Sequence, residues 1–353
     1  MLFGEFGMTL VIGDYHLKDL GKTPYDLWQY SMFIQSFKNI AKIIDKYKVT
    51  KLILAGDIFD QPPKGISLEL FAKFMNILKP YDLNIVAIDG NHCLLSGVGK
   101  NYYLESMKEY FKINYNISVV DYKQIDNILY CSHKHIKKLE KLNKPVDIVI
   151  SHFRSNIPPI SDEIDVAAIN KNAKLCILGD IHHRNEKNNI VYTGSPIDTH
   201  FDGNNNLEHH TPSILLLNEE TLEWKWLDIF TTSYRKCKRI FTSVDDFLRA
   251  VPDMRDDKLN NHNFYKCVIQ DKKVRLNTLK TDLYSDFCII QREVIDLEIA
   301  KENKKIATEI VKNLSTTDVS TGLLEFILKN NDKVELINKI KQTYHKYEVN
   351  TND

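Results

Sequence analysis

The chain has 353 residues, enough for one large domain plus one or two smaller ones around a sizeable buried core. Lysine plus arginine and aspartate plus glutamate are both 47, so the formal net charge is zero, which excludes the general basic excess of a protein that coats nucleic acid. The six cysteines lack a Cys-x-x-Cys pair, which argues against a zinc knuckle or disulfide framework and for a reducing cytoplasm, and no apolar run approaches the roughly 20 residues that span a bilayer.

Met8 opens the first strand-like run, so residues 1–7 are expected to be an upstream extension without structural duty. Residues 10–12, 51–54, 84–88, 147–150 and 175–178 are short, rich in Ile, Val and Leu, and end in small polar or glycine residues; they read as buried strands. Residues 25–47, 67–78 and 102–111 carry apolar side chains at helical spacing, with Met32, Phe33, Phe37, Ile40 and Ile44 forming one stripe suited to core packing. This alternation predicts an α/β domain whose helices cover the sheet faces.

From residue 190 the pattern changes to closely spaced strands at 190–192, 213–217 and 223–229, the last two joined by the turn-like Asn218-Glu219-Glu220-Thr221. An antiparallel section of this kind would close a first domain spanning 1–230. Residues 234–241, 244–251, 264–270, 276–284 and 287–296 then read as a β-α-β-α-β unit, a second domain over 231–300. The remainder, 301–353, is polar and helical, with amphipathic segments at 316–330 and 332–347 and a capping-box spacing at Asp332 and Glu335. Leu323, Leu324, Ile327 and Leu328 make one apolar face; Val334, Ile337, Ile340 and Tyr344 make the other.

Five segments place metal-coordinating side chains where apolar runs end: Gly13-Asp14-Tyr15-His16, Gly56-Asp57-Ile58-Phe59-Asp60, Gly90-Asn91-His92, Ser151-His152 and Gly179-Asp180-Ile181-His182. Each alone has a plain explanation, such as a turn, a helix cap or a satisfied buried histidine. Together, in one order and each at a strand exit, they point to a shared site for two divalent ions, the machinery for hydrolysing a phosphate ester. Asp14 and His16 leave the strand on alternate residues and can bind one ion from the same side, completed by His182. Asp57 is the carboxylate to bridge both ions, and Asn91, His152 and Asp180 join it at the second. His92, beside a ligand, is better placed to steady the phosphate or protonate the leaving oxygen. Oxygen and nitrogen ligands without thiolate favour Mn²⁺, Mg²⁺ or iron over structural zinc.

That order resembles the calcineurin-like metallophosphoesterase superfamily, with its pattern D-x-H, G-D-x-x-D, G-N-H-[DE], a lone His and G-H-x-H. Within it the chain resembles the SbcD nuclease family, through the Gly56–Asp60 loop, through Tyr192-Thr193-Gly194-Ser195-Pro196 followed by Phe201, and through a capping domain and terminal helices in the expected order. The resemblance implies a sandwich of two mixed β-sheets flanked by helices, with a small α+β capping domain and C-terminal helices. It implies a manganese-dependent DNA nuclease, both a 3′–5′ exonuclease and an endonuclease, that acts on duplex ends and single strands as a homodimer with an SbcC-type coiled-coil ATPase. The terminal helices, and with them the face of Leu323, Leu324, Ile327 and Leu328, would grip that ATPase.

Two positions depart from the family pattern. Asp180 stands where the family has the first His of G-H-x-H, which keeps a ligand atom and adds negative charge. Cys93 stands where the family has an acidic residue after G-N-H, and a neutral thiol cannot hold His92 by a charge-assisted bond; Asp89 is the nearby carboxylate that would have to substitute. Cys93 is also the sole support for a DNA-end-binding scaffold with weakened catalysis. A phosphatase or phosphodiesterase on the same fold is the other alternative, because a metal site does not choose its ester. Lys134, Lys137, Lys138, Lys141 and Lys144, and Arg235, Lys236, Lys238 and Arg239, are basic stretches that suit either phosphate contact or a solvated surface. His209 and His210 fall in a polar loop and are expected to be exposed.

Overall fold

The computed structural model describes residues 7–94, 102–155, 164–201, 211–270 and 281–292. The first strand, β1 (Met8–Ile12), is buried throughout, and its side chains alternate between two apolar layers. Leu10 and Ile12 face a cluster built with helices α1 (Pro24–Tyr47) and α2 (Gly65–Leu78), whereas Val11 faces the opposite layer. The helix α1 begins where Thr23 and Asp26 cap each other's backbone N–H groups and Pro24 presets the first turn. It ends at Lys48, in the left-handed conformation. Between those ends the stripe Met32, Phe33, Phe37, Ile40 and Ile44 is buried, as its spacing predicts.

Strands β2 (Val49–Ala55), β3 (Asn84–Ile88) and β4 (Ile117–Val119) follow β1 in parallel. In place of one helix over 102–111 there are two, α3 (Tyr103–Ser106) and α4 (Lys108–Tyr115), which meet at Met107. The second sheet starts with the antiparallel pair β5 (Tyr122–Ile125) and β6 (Ile128–Cys131) and continues in parallel through β7 (Val146–His152) and β8 (Ala173–Gly179). Helix α5 (Ala167–Asn172) leads into β8, and the pair β9 (Asn185–Lys187) and β10 (Ile190–Tyr192) closes the edge. Strands β11 (Ser213–Leu217) and β12 (Trp224–Asp228) return antiparallel to β1.

The result is two six-stranded mixed sheets, ordered β12-β11-β1-β2-β3-β4 and β5-β6-β7-β8-β10-β9. Val11, Ile53, Val86, Ile148, Ile150 and Ile177 are among the side chains that fill the space between them. Helices cover the outer faces, α1 and α2 over the first sheet and α5 over the second. This is the predicted sandwich.

A third sheet, β13 (Lys236–Phe241), β14 (Phe264–Ile269) and β15 (Cys288–Arg292), is all parallel. Its crossover helix α6 (Val244–Asn261) runs ten residues past the expected end at 251. Pro252 removes one backbone donor, but it and Leu248, whose carbonyl would have accepted, are both exposed, so water can take the place of that bond. Where a helix was expected over 276–284, the described part is a single 3₁₀ turn, Thr281–Tyr284. Phe264 is fully buried against Trp28 and Tyr25 of α1, with ring centroids 5.4 and 5.0 Å away, and the Trp28 indole N–H donates to the His262 carbonyl.

All six cysteines are free. No helix among the described residues is long and apolar enough to cross a membrane. Residues 1–6, the terminal segments at 316–330 and 332–347 with their apolar faces, and His209 and His210 lie outside the described residues.

Phe37 is wholly buried, stacked on Phe74 at 4.8 Å and edge-on to Tyr15 at 5.5 Å. Phe37→Ala is expected to lower unfolding free energy by about 3–5 kcal/mol, measured by urea denaturation.

Candidate metal centre

Strands β1, β2 and β3 of one sheet and β7 and β8 of the other all end at the same edge of the sandwich, and each delivers its polar residue there. Hydrogen bonds join the sheets at that point. His152 Nδ1–H donates to the Ala55 carbonyl at 2.8 Å, and the Asp180 backbone N–H donates to both Asp14 carboxylate oxygens at 3.1 and 2.9 Å.

The chain bends hard to do this. Asp14, His16, Asp57 and Asp180 have φ of 55°, 48°, 47° and 87°, a conformation that costs non-glycine residues of order 1–3 kcal/mol each and that clusters at functional sites. Backbone bonds from Asp14 N–H to the Gly56 carbonyl and from His16 N–H to the Asp57 carbonyl hold the bend. Glycine is required where these loops touch: a Cβ on Gly56, whose φ is +89°, would sit 2.2 Å from His152 Nδ1, and one on Gly90 would sit 2.1 Å from Asp57 Oδ1.

Three overlapping ligand groups result: Asp14, His16 and His182; Asp14, Asp57 and His152; and His16, Asp57 and His92. His16 Nε2 and His182 Nε2 are 3.1 Å apart, and each lies within 3.7 Å of Asp14 Oδ1. Asp57 Oδ2 lies 3.2 Å from His152 Nε2 and 3.8 Å from His16 Nε2, between the two histidines, while Oδ1 accepts from the His92 backbone N–H at 3.0 Å. Asn91 Oδ1 is 3.2 Å from His152 Nε2.

These residues fit a cation. The Nδ1–H of His152 is committed to a carbonyl, so in the neutral ring Nε2 is a lone pair that faces two further acceptors, Asp57 Oδ2 and Asn91 Oδ1. Such convergence is stable only around a proton or a metal ion. Asp14, Asp57 and His152 are almost fully buried, so the charges count heavily.

In the metal-free protein, protons take that place. Burial opposes the charged form of His152, but the Asp57 and Asp14 carboxylates outweigh it and raise its pKa to about 10. Burial likewise opposes charge on His16, and the nearby Asp14 and Asp60 carboxylates raise it to about 9. Burial resists ionisation of Asp57, yet His152 and His16 hold it well below the usual carboxylate range. Burial, aided by His16, pushes His182 down to about 4 against the pull of Asp14.

Asp180 stands apart. Its Oδ2 accepts from Arg154 Nε at 3.0 Å, and the residue joins none of the three groups found among the described residues. Burial raises its pKa against the opposing charges of His152 and Arg154.

Cys93 is fully buried, with its Sγ 3.3 Å from the Gly90 N–H, and Asp89 turns to the Glu105 N–H rather than to His92. The His92 ring is held elsewhere: its Nδ1–H donates to the Asp60 carbonyl at 3.0 Å, and 43% of the side chain is exposed. Asp60 is the residue that sequence reasoning passed over. Its Oδ1 lies 3.2 Å from His16 Nδ1, an ion-pair approach, so one residue neighbours both histidines, and His16 holds its carboxyl below the usual range.

The basic stretches divide. Lys134 pairs with Glu105 and Lys137 with Glu140, while Lys138 lies over the Tyr122 ring. Arg235 and Lys236 are buried, against the expectation of a basic surface; Arg235 pairs with Asp198 at 2.6 Å. Burial, reinforced by Lys18, pushes Lys236 down to about 7.

The family model for calcineurin-like phosphoesterases matches residues 8–184, half of the chain. The chain belongs to that family, whose metal-dependent chemistry makes it a phosphoester hydrolase. Among solved structures it is similar to a nuclease, MPE, of Pseudomonas putida, with 12% identity over 59% of this chain and 84% of that one and a TM-score of 0.31. It is similar too to GAP50, described as the anchor in the inner membrane complex of Plasmodium, with 14% identity, 63% and 88% coverage and a TM-score of 0.34. No curated protein matches it by sequence.

The raised pKa values of His16 and His152 set a pH dependence. Their stabilisation is fully present below about pH 6.5 and is lost as pH rises through about 9 to 10. The melting temperature of metal-free protein should therefore fall between pH 7 and 10. Mn²⁺, which displaces these protons, should bind more tightly as pH rises over the same range and release protons as it binds, measured by calorimetry in buffers of different ionisation enthalpy.

Proposed function

We propose that this chain is a two-metal-dependent DNA nuclease, cutting both as a 3′–5′ exonuclease and as an endonuclease, and that it works with an SbcC-type ATPase in DNA repair or recombination. The observation that carries the reading is the half-exposed His92 beside the buried convergence of His152 Nε2, Asp57 Oδ2 and Asn91 Oδ1, which a cation would satisfy. Divalent cations held there, Mn²⁺ by preference, supply Lewis-acid polarisation of phosphate oxygens and acidify a water molecule. The protein's own groups do the rest.

Asp14, His16 and His182 would hold one ion, Asn91 and His152 the other, and Asp57 would serve both. Asp180 enters this set only by giving up its bond to Arg154. His92, with Nδ1–H fixed on the Asp60 carbonyl, turns Nε2 away from that anchor and, in the doubly protonated ring, can donate its Nε2 proton to a leaving oxygen. Asp14, His16, Asp57 and His152 are shielded from solvent, while His92 stands exposed beside them.

Support for DNA as the substrate comes from the motif resemblance and from the small three-stranded unit seated beside the site, an element that plain phosphomonoester cleavage does not require. Duplex ends and single strands are the proposed substrates. A homodimer, a cytoplasmic setting and attachment of the ATPase through the terminal helices belong to the same proposal. The weakened-scaffold alternative loses its support, because the His92 ring is anchored by a backbone carbonyl and not by the side chain at position 93.

Wild-type protein with Mn²⁺ should cleave duplex and single-stranded oligonucleotides and leave phosphopeptides intact. Asp57→Asn should lower DNA cleavage by more than about 100-fold, beyond the loss typical of a group outside the ligand sphere. His92→Ala should lower kcat by about 10²- to 10⁴-fold with Mn²⁺ binding retained. Cleavage of phosphopeptides without any cleavage of DNA would contradict the nuclease reading.

A further inference from the structure

His182 is the least buried of the candidate ligands around Asp14, with 20% of its side chain exposed, and it needs something to fix its ring. What touches its outer nitrogen is not a strand end but the segment 198–200, which follows the Gly194-Ser195-Pro196 turn. Thr199 Oγ1 lies 2.7 Å from His182 Nδ1 and 2.8 Å from His200 Nδ1, and the His200 ring stacks on His182 with centroids 5.4 Å apart at 21°. One hydroxyl between two imidazoles can accept from both, or accept from one and donate to the other. With His182 Nδ1–H as the donor, Nε2 is left as a lone pair aimed at Asp14 and His16.

The segment itself is held by the small unit. Asp198 is 9% exposed and accepts from Arg235 Nε at 2.6 Å and from the Lys236 backbone N–H at 3.0 Å. Lys236 Nζ donates to the Thr199 carbonyl at 3.2 Å and sits over the rings of Tyr25 and Phe201 at 5.8 and 5.9 Å. Arg235 and Lys236 are 7% and 5% exposed. Buried charges at the entry to a sheet are costly to keep. Here they clasp both ends of the peptide that carries Thr199.

We infer that Thr199 is a positioning residue for His182, and that Arg235 and Lys236 of the small unit set the metal centre through it. The inference rests on the two-metal reading above. It assigns the small unit a second duty besides any substrate contact: the site is complete only when that unit is docked.

Calorimetric titration of the full chain with Mn²⁺ alone tests this. Wild type should take up two ions. Thr199→Val, which keeps the shape and removes the hydroxyl, should weaken one of them by about 10- to 100-fold and leave the other unchanged. Thr199→Ser should restore it. Arg235→Met should act in the same direction, and Arg249→Ala, at an exposed position of the same unit, should not. Circular dichroism confirms that each variant is folded, and the Val/Ser pair decides the matter even if Arg235→Met does not fold. If wild type binds two ions and folded Thr199→Val binds both as tightly, the positioning role is overturned while the two-metal reading stands. If wild type binds no Mn²⁺, both fall.

Discussion

Asp57 is almost wholly buried, and its two oxygens serve different neighbours: Oδ1 takes the His92 N–H, and Oδ2 lies between the Nε2 atoms of His152 and His16. An ionised carboxylate withdrawn from water costs several kcal/mol unless it is paired, and Asp14 is buried beside it. The rest of the structure answers that cost. Parallel strands from two sheets end at one edge so that backbone N–H groups and imidazoles converge on these anions. Left-handed backbone at Asp14, His16 and Asp57 turns the side chains inward, and Gly56 and Gly90 leave the space those side chains occupy. The same arrangement that is expensive with protons alone is what a pair of divalent cations would stabilise.

Around this centre the outer contacts fall into a pattern. Each histidine turns Nδ1 outward to a neighbour: His152 to the Ala55 carbonyl, His92 to the Asp60 carbonyl and His182 to Thr199 by hydrogen bonds, and His16 to the Asp60 carboxylate at ion-pair distance. Three of these contacts come from the β2 edge, within the large unit. The fourth depends on a segment clasped by Arg235 and Lys236, so His182, the least buried of the ligands around Asp14, is also the one tied to the small unit. Arg154 offsets the charge that Asp180 brings in place of the family's histidine, which leaves the pair neutral.

Much of this was legible in the sequence because the ligands are local features, each a few residues beyond an apolar run. The strands that carry them are buried over their last four residues or more, so the apolar runs that lead into the site are unbroken. Strands β4, β5, β6 and β9 escaped notice because they are three or four residues long, and β5 and β9 are largely exposed. The continuation of α6 through Pro252 was hidden for a different reason: a proline reads as a stop unless its outward orientation is known. At the site, the substitution at Asp180 was visible but its partner Arg154 was not, since 26 residues separate them. Arg235 and Lys236 read as part of a basic surface because charge is ordinarily solvated; only tertiary structure reveals Asp198 waiting for them. Asp60 sat in plain view within its motif, but its place between His92 and His16 follows from the turn geometry alone.

The central claim is that these buried groups form one centre for two cations. Crystals grown with Mn²⁺ and measured at the manganese absorption edge test it directly. The account predicts two anomalous peaks about 3.5–4 Å apart, one among Asp14, His16 and His182, the other among Asn91 and His152, with Asp57 touching both. A single peak, or peaks remote from Asp57, would contradict it.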